Sequence, residues 1–310
     1  MTLQHWLDNA TKQLSATSPT PRLDAEVLLA HALGKDRAFL LAHPEKLLSL
    51  AHTRRLAVSL TRRLTHEPVA YIVGESEFYG RTFKVSTDTL QPRPETETML
   101  ELLLADEAVN RPDVQSAYID VGTGSGAIII TAYLELARHS LLMAQATFMA
   151  TDISKKALKI ATQNAKHYDA GIDFHVGSLL EPILPLLADP QTRRLVLLCN
   201  LPYVPDSHQV NEAARHEPDI ALFGGADGLD LYRQLFSQLH QTASHPPGKI
   251  SHLYKDCPYT DEKFYRGNSG RSCTVFTESL PPQHEELRAI AASHGFSQTD
   301  ERDFIQVFKR

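Results

Sequence analysis

Two short stretches combine residue types that can do chemistry at a useful spacing. Asp120-Val121-Gly122-Thr123-Gly124-Ser125-Gly126 sets three alternating glycines behind an apolar segment, and Asn200-Leu201-Pro202-Tyr203 closes a second apolar run. Glycines so spaced let a chain turn sharply out of a strand and bring backbone N–H groups against a ligand, with a helix N-terminus just behind. Gly122, Thr123, Gly124, Ser125 and Gly126 are therefore candidate cofactor contacts. Gly122-x-Gly124-x-x-Ala127 also satisfies the dinucleotide fingerprint, so the loop alone leaves nicotinamide and other adenosine cofactors open. Asp152, at the end of the next apolar segment, is placed to accept both hydroxyls of a ribose. Ser178 and Leu179, after the third, are placed to pair with and pack on an adenine.

The second stretch narrows the choice. A carboxamide nitrogen is a weak nucleophile because its lone pair is delocalised, so a catalyst must hold both N–H groups and aim the lone pair. Asn200 Oδ1 and the Leu201 carbonyl are two acceptors suited to that task. Pro202 stiffens the loop and Tyr203 packs on a planar group, which makes Asn200, Pro202 and Tyr203 the candidate catalytic residues. With a sulfonium donor no acid, base or metal has to act before transfer, and orientation alone is worth up to ~7–11 kcal/mol in well-aligned systems. The chemistry expected is methyl transfer to a planar nitrogen, with amide and adenine amine both open. A nicotinamide dehydrogenase fits less well, since no hydride-transfer acid or base arrangement follows Asp152. An inactive cofactor-binding module that tethers a partner through its N-terminal region is the reading from outside enzymology.

The elements that must carry these residues follow from periodicity. Leu3, Trp6, Leu7, Ala10 and Leu14 recur at helical spacing, as do Ala25, Leu28, Leu29, Ala32 and Leu33 before Gly34, and Pro44 opens a third helical segment over Leu47 to Leu64. Residues 1–68 thus read as a small helical bundle. Phe78 to Val85, with Gly80, reads as a hairpin within a linker over 69–90. In Arg93-Pro94-Glu95-Thr96-Glu97 a helix starts at Pro94, its acids favourable in the first turn. From Ala117 onward strands and helices alternate: strands at Ala117–Val121, Ala146–Thr151, Ile172–Val176 and Arg194–Cys199, helices at Ala127–Ala137 and Lys155–His167. That order predicts an α/β domain over 91–310, with a parallel sheet flanked by helices and ligands beyond the carboxyl ends of its strands. A long mobile loop is expected over 244–275, threading at most a strand through Lys249–Tyr254. A helix over His284–Ala292 and a strand over Phe304–Phe308 close the chain.

Composition sets outer limits. At 310 residues, 42% hydrophobic and 22% charged, the chain is an ordinary globular protein of about two domains. No apolar run reaches the ~18 residues of a membrane span and the first residues lack a basic-then-apolar leader, so a cytoplasmic location is expected. Three cysteines without paired spacing argue against a disulfide framework, and scattered histidines against a metal site. Residues 1–68 hold nine Lys/Arg and six Asp/Glu, the remainder 22 and 31. An acidic body is poorly suited to gripping bare nucleic acid.

Taken together these residues resemble the release-factor glutamine methyltransferases of the HemK type. The resemblance rests on Pro21-Arg22-Leu23-Asp24-Ala25-Glu26-Val27-Leu28-Leu29, Glu67 to Gly74 with Glu77-Phe78-Tyr79-Gly80, Arg93 to Glu97, and Glu217-Pro218 with Ala221 to Asp230. It implies a Rossmann-like class I methyltransferase domain with a mostly parallel seven-stranded sheet, using S-adenosylmethionine to methylate the glutamine of a Gly-Gly-Gln motif. By that resemblance Gly122 to Gly126, Asp152, Leu179 and Asn200 contact the cofactor, Asn200 to Tyr203 hold the substrate glutamine, and Arg93, Pro94 and Glu95 help shape the pocket. The resemblance also implies that the N-terminal bundle helps bind the release factor; a monomer without a direct nucleic-acid or membrane partner is expected. The family usually has proline where Leu201 stands, and Asn-Leu-Pro-Tyr also resembles the clamp of ribosomal RNA adenine dimethyltransferases. Those enzymes lack the N-terminal helices and the Arg93 to Glu97 motif. An insertion of about 25 residues within 244–275, a surface-loop reading, would place the family's glutamate and glutamine at Glu278 and Gln283.

Overall fold

Helix α1 (Leu3–Leu14) buries Leu3, Trp6, Leu7, Ala10 and Leu14, the five residues its periodicity selects, and Thr2 caps it by accepting the His5 N–H. Helix α2 (Pro21–Leu33) begins on its proline and stops where Gly34 turns left-handed at φ 60°. The helix expected over Leu47 to Leu64 starts instead at Leu50, and a short helix that the periodicity does not mark precedes Pro44. Asp36 accepts the Phe39 N–H and starts a short α3 (Arg37–Ala42), while α4 (Leu50–Leu64) begins only after Ser49, whose hydroxyl accepts the His52 N–H. A buried ion pair, Arg63 Nε to Asp24 Oδ2 at 2.6 Å, joins α4 to α2. Helix α5 (Val69–Val73) follows, then the ribbon of β1 (Glu75–Phe78) and β2 (Arg81–Lys84), turned at Tyr79 and Gly80, both with positive φ.

The computed structural model describes residues 1–109, 115–139, 146–187, 192–244 and 271–310. They form two units: Met1–Ser76 with Val85–Thr87 and Gln209–Glu217, and Glu77–Lys84 with Asp88–His208 and Pro218–Arg310. In the second unit a turn at Pro94–Thr96 leads into α6 (Glu97–Val109). There follow β3 (Ser116–Val121), α7 (Ala127–Arg138), β4 (Thr147–Asp152), α8 (Lys155–His167), β5 (Asp173–Val176), α9 (Leu184–Leu187) and β6 (Arg194–Cys199). The remaining elements are α10 (Asp219–Leu222), α11 (Asp230–Ser244), β7 (Ser272–Glu278), α12 (His284–Ser293), β8 (Ser297–Arg302) and β9 (Ile305–Lys309).

The sheet has seven strands in the order β5-β4-β3-β6-β7-β9-β8, parallel through β7 and antiparallel thereafter. Every residue of β3 and β6 is buried, as central strands covered on both faces require. One apolar cluster contains Ile119, Leu197, Tyr232, Phe236 and Val275; the other contains Tyr118, Ile129, Leu198 and Phe276. The loop expected over 244–275 is corrected at its end. Ser272 pairs with Arg194, and Cys273 to Glu278 are buried between β6 and β9, so these residues are strand. The strand placed at Lys249–Tyr254 lies outside the described residues.

Asn164 on α8 ties two parts of this unit together. Its Oδ1 accepts the Lys84 N–H at 2.9 Å, and its Nδ2 donates to the Lys84 carbonyl at 3.0 Å and the Ser125 carbonyl at 2.8 Å. Asn164→Ala is expected to lower stability by about 2–3 kcal/mol, because buried backbone groups lose their partners. Urea denaturation checks this, and a change within ~0.5 kcal/mol, the range of ordinary surface substitutions, would contradict it.

Candidate active site

Strands β3 and β6 are neighbours in register, Val121 beside Cys199, so the two motifs leave the sheet abreast. The strand order also reverses between them, which is where open α/β sheets build ligand crevices. Gly122, Gly124 and Gly126 all have positive φ, 77°, 55° and 81°. A Cβ on Gly124 would meet no atom within 4 Å, so the loop presents backbone to open space there.

The side chains around the loop fix its shape. Gly122 and Thr123 donate N–H bonds to the Thr151 carbonyl, and Gly124 N–H donates to Asp152 Oδ2 at 2.9 Å. Asp152 Oδ1 accepts the Ser154 N–H at 2.7 Å, so each carboxylate oxygen has one backbone donor and a lone pair to spare. Burial raises the Asp152 carboxyl above its usual range. Thr123 and Ser125 are buried, and the Thr123 hydroxyl donates inward to Asp120 Oδ2 at 2.7 Å. Asp120 Oδ1 has no hydrogen-bond partner among the described residues, and burial pushes this carboxyl up to about 7.

Ser178 and Leu179 follow β5, next to β4, with Gly177 N–H held by the Asp152 carbonyl at 3.0 Å. Leu179 is buried with φ 48°, a costly conformation for a bulky residue. Gln238 on α11 supports this turn, its Oε1 accepting the Leu180 N–H at 3.0 Å.

At the second motif, Asn200 Nδ2 donates to Thr96 Oγ1 at 3.1 Å, and among the described residues no hydrogen bond engages its Oδ1. Leu201 is buried, its side chain against Gly122, where an added Cβ would come within 3.2 Å of Leu201 Cδ2. Tyr203 donates its hydroxyl to Glu278 Oε1 at 3.1 Å, and burial raises this phenol far above its usual range. Glu278, at the end of β7, is itself pushed up to about 6 by burial. Behind the clamp, Gln283 Nε2 donates to the Tyr203 carbonyl at 2.8 Å and the Asp227 carbonyl at 2.7 Å. Gly228 packs so closely that a Cβ would fall 2.0 Å from the Tyr203 carbonyl oxygen.

Arg93 and Glu95 reach the Tyr203 hydroxyl through charge, in opposite senses. Within their motif it is the buried Thr96 that bonds to the clamp, a residue that sequence reasoning treats only as part of a helix start. Tyr232 and Gln238 escape it as well. Tyr232 shares an apolar face of α11 with Leu235, Phe236 and Leu239, and only its hydroxyl distinguishes it from core.

Comparison with known proteins gives this geometry a lineage. The PrmC N-terminal domain matches residues 5–74, and a methyltransferase domain matches residues 112–216. Release factor glutamine methyltransferase of Koribacter versatilis is 39% identical over 243 residues, covering 77% of this chain and 81% of that protein. The Coxiella burnetii protein of that name is 38% identical over 239 residues, 76% of this chain and 79% of its own length. The chain belongs to the release factor glutamine methyltransferases. Glu278 and Gln283, the residues matched to that family's glutamate and glutamine, stand beside the clamp, one on its tyrosine and the other on its backbone. The residues present also fit the cofactor such methyltransferases use. An open glycine loop, an acidic strand end with spare lone pairs and a turn backed by Leu179 lie at consecutive carboxyl ends of β3, β4 and β5.

Proposed function

We propose that this protein transfers a methyl group from S-adenosylmethionine to the side-chain amide nitrogen of the glutamine in the Gly-Gly-Gln motif of a peptide-chain release factor. The observation that carries it is the clamp abreast of the glycine loop, within a chain more than a third identical to named release factor glutamine methyltransferases over most of its length. Gly122 to Gly126, Asp152, Ser178, Leu179 and Asn200 would hold the cofactor, which supplies an electrophilic methyl on a sulfonium. The chain's own residues bind and orient the amide. Asn200 Oδ1 and the Leu201 carbonyl accept its two hydrogens, which fixes the amide plane and with it the lone pair; Tyr203, pinned by Glu278, packs on that plane. Pro202 keeps residue 201 extended. Arg93 and Glu95 shape the entrance by charge.

The helical bundle formed by residues 1–68 docks the release factor, the linker over 69–90 and the domain over 91–310 completing the enzyme. It acts as a monomer in the cytoplasm. Among the described residues no helix is long and apolar enough to cross a membrane. Mass spectrometry of release-factor peptides after incubation with enzyme and cofactor is expected to find one added methyl on the Gly-Gly-Gln peptide. Equal labelling of a Gln→Ala release factor would refute the substrate. The Asn-Leu-Pro-Tyr string supports a second reading, an adenine amine in the same clamp, which transfer to RNA or DNA with none to release factor would establish.

A further inference from the structure

Tyr232 is fully buried on α11, and its hydroxyl touches three backbone groups at once. It lies 3.0 Å from the Cys199 carbonyl and 2.5 Å from the Glu278 carbonyl, between which its single hydrogen is shared. It also accepts the Leu201 N–H at 3.4 Å. Those groups belong to the ends of β6 and β7 and to the clamp itself. From this geometry we infer that Tyr232 is the positioning residue that aims the Leu201 carbonyl at the substrate amide.

The Leu201 carbonyl has two ways to swing, by rotation on either side of its Cα. Pro202 closes one, because a residue before proline is confined to extended ψ. Tyr232 limits the other by anchoring the preceding peptide at its Leu201 N–H and, one peptide earlier, at the Cys199 carbonyl. With the Leu201 side chain buried against Gly122, both ends of the N–Cα bond are then held. The same hydroxyl ties the backbone of Glu278, whose side chain holds Tyr203, so one oxygen links the acceptor and the aromatic wall of the clamp. The Leu201 side chain, packed against Gly122, carries this constraint to the cofactor loop. No side chain of the clamp would need to move for Tyr232 to matter; its effect is on a backbone direction.

This inference rests on the proposed reaction, and its test separates the two. The full-length enzyme and its Tyr232→Phe, Leu201→Pro and doubly substituted forms are assayed on release factor at saturating cofactor, with melting temperature followed in parallel. The Leu201→Pro change leaves no N–H to give Tyr232 and fixes φ at that position, so it removes the bond while supplying stiffness. Tyr232→Phe is expected to lower kcat about tenfold in the otherwise unaltered enzyme, the worth of one positioning hydrogen bond, with KM for cofactor within about twofold. In the Leu201→Pro background the same change is expected to cost about twofold or less, a coupling that a merely structural role would not produce. Equal losses in both backgrounds, or no loss in the otherwise unaltered enzyme, would overturn the assignment. Hydrogen exchange in the wild type needs no variant: a slowly exchanging Leu201 amide is expected, and exchange at the rate of an exposed loop amide overturns it. A wild type that leaves the release factor unmodified removes the proposed reaction, and this inference with it.

Discussion

Asn200→Ala is expected to reduce single-turnover methyl transfer by on the order of 10²–10³-fold, the scale on which removing one preorganised polar group from a reacting centre acts. The geometry explains why the loss falls on the chemical step. Asn200 Nδ2 donates to Thr96, and in the proposed reaction Oδ1 is one of the two acceptors for the substrate amide. Alanine leaves that amide held at the Leu201 carbonyl alone, free to rotate about the remaining bond and to lose the direction of its lone pair. Most of the proposed cofactor cradle, by contrast, is the glycine loop, Asp152 and the Ser178–Leu179 turn, and among the described residues none of these hydrogen-bonds to Asn200. Single-turnover assays at saturating cofactor, paired with calorimetric titration of S-adenosylhomocysteine, separate the two effects. An unchanged transfer rate accompanied by a tenfold or larger loss of cofactor affinity would show that Asn200 serves the cofactor instead.

How far such a site can be read from sequence depends on whether its residues are set by local rules. Helix α8 and strand β6 run over the predicted residues because local signals bound them. Ser154 caps α8 through the Ala157 N–H, and β6 is an unbroken apolar run between a buried arginine and Asn200. The glycine loop and the clamp are legible for a similar reason, since each is contiguous. Strand β8 is not: Ser297 to Arg302 is polar and almost wholly exposed at the edge of the sheet, so no alternation marks it. Helix α3 escapes notice because its six residues are too few to show a period. The supporting residues are hidden for a different reason. Thr96, Tyr232 and Gln238 act on backbone or side chains far away in sequence, and pairings of that kind exist only once the sheet has formed.

Asp120 offers a prediction that needs no substrate. Its carboxyl is fully buried beneath the glycine loop, with Thr123 as a side-chain donor, Asp152 as a neighbouring negative group and Cys199 close enough to have its thiol raised in turn. Burial lifts its pKa from 3.8 to about 7. For a carboxyl raised in the folded state, the native protein binds the proton more tightly than the unfolded chain, so stability is greatest below the unfolded pKa and falls as pH rises towards the folded one. The window is therefore about pH 4 to 7, and the shift corresponds to roughly 4 kcal/mol across it. Glu278, raised to about 6, adds a fall in the same direction, whereas Asp227, held near 2 by its hydrogen bond to Arg233, acts oppositely at lower pH. Subtracting a variant isolates the Asp120 contribution. Asp120→Asn keeps the size and an oxygen for the Thr123 hydroxyl but cannot ionise, so its stability relative to wild type should improve by roughly 4 kcal/mol between pH 4 and pH 8 and level off above that. Urea denaturation of both proteins at a series of pH values measures the difference, and its shape matters more than its offset. A constant difference across the range would mean that Asp120 titrates as an ordinary carboxylate, and that the glycine loop does not rest on a buried, reluctantly ionised acid.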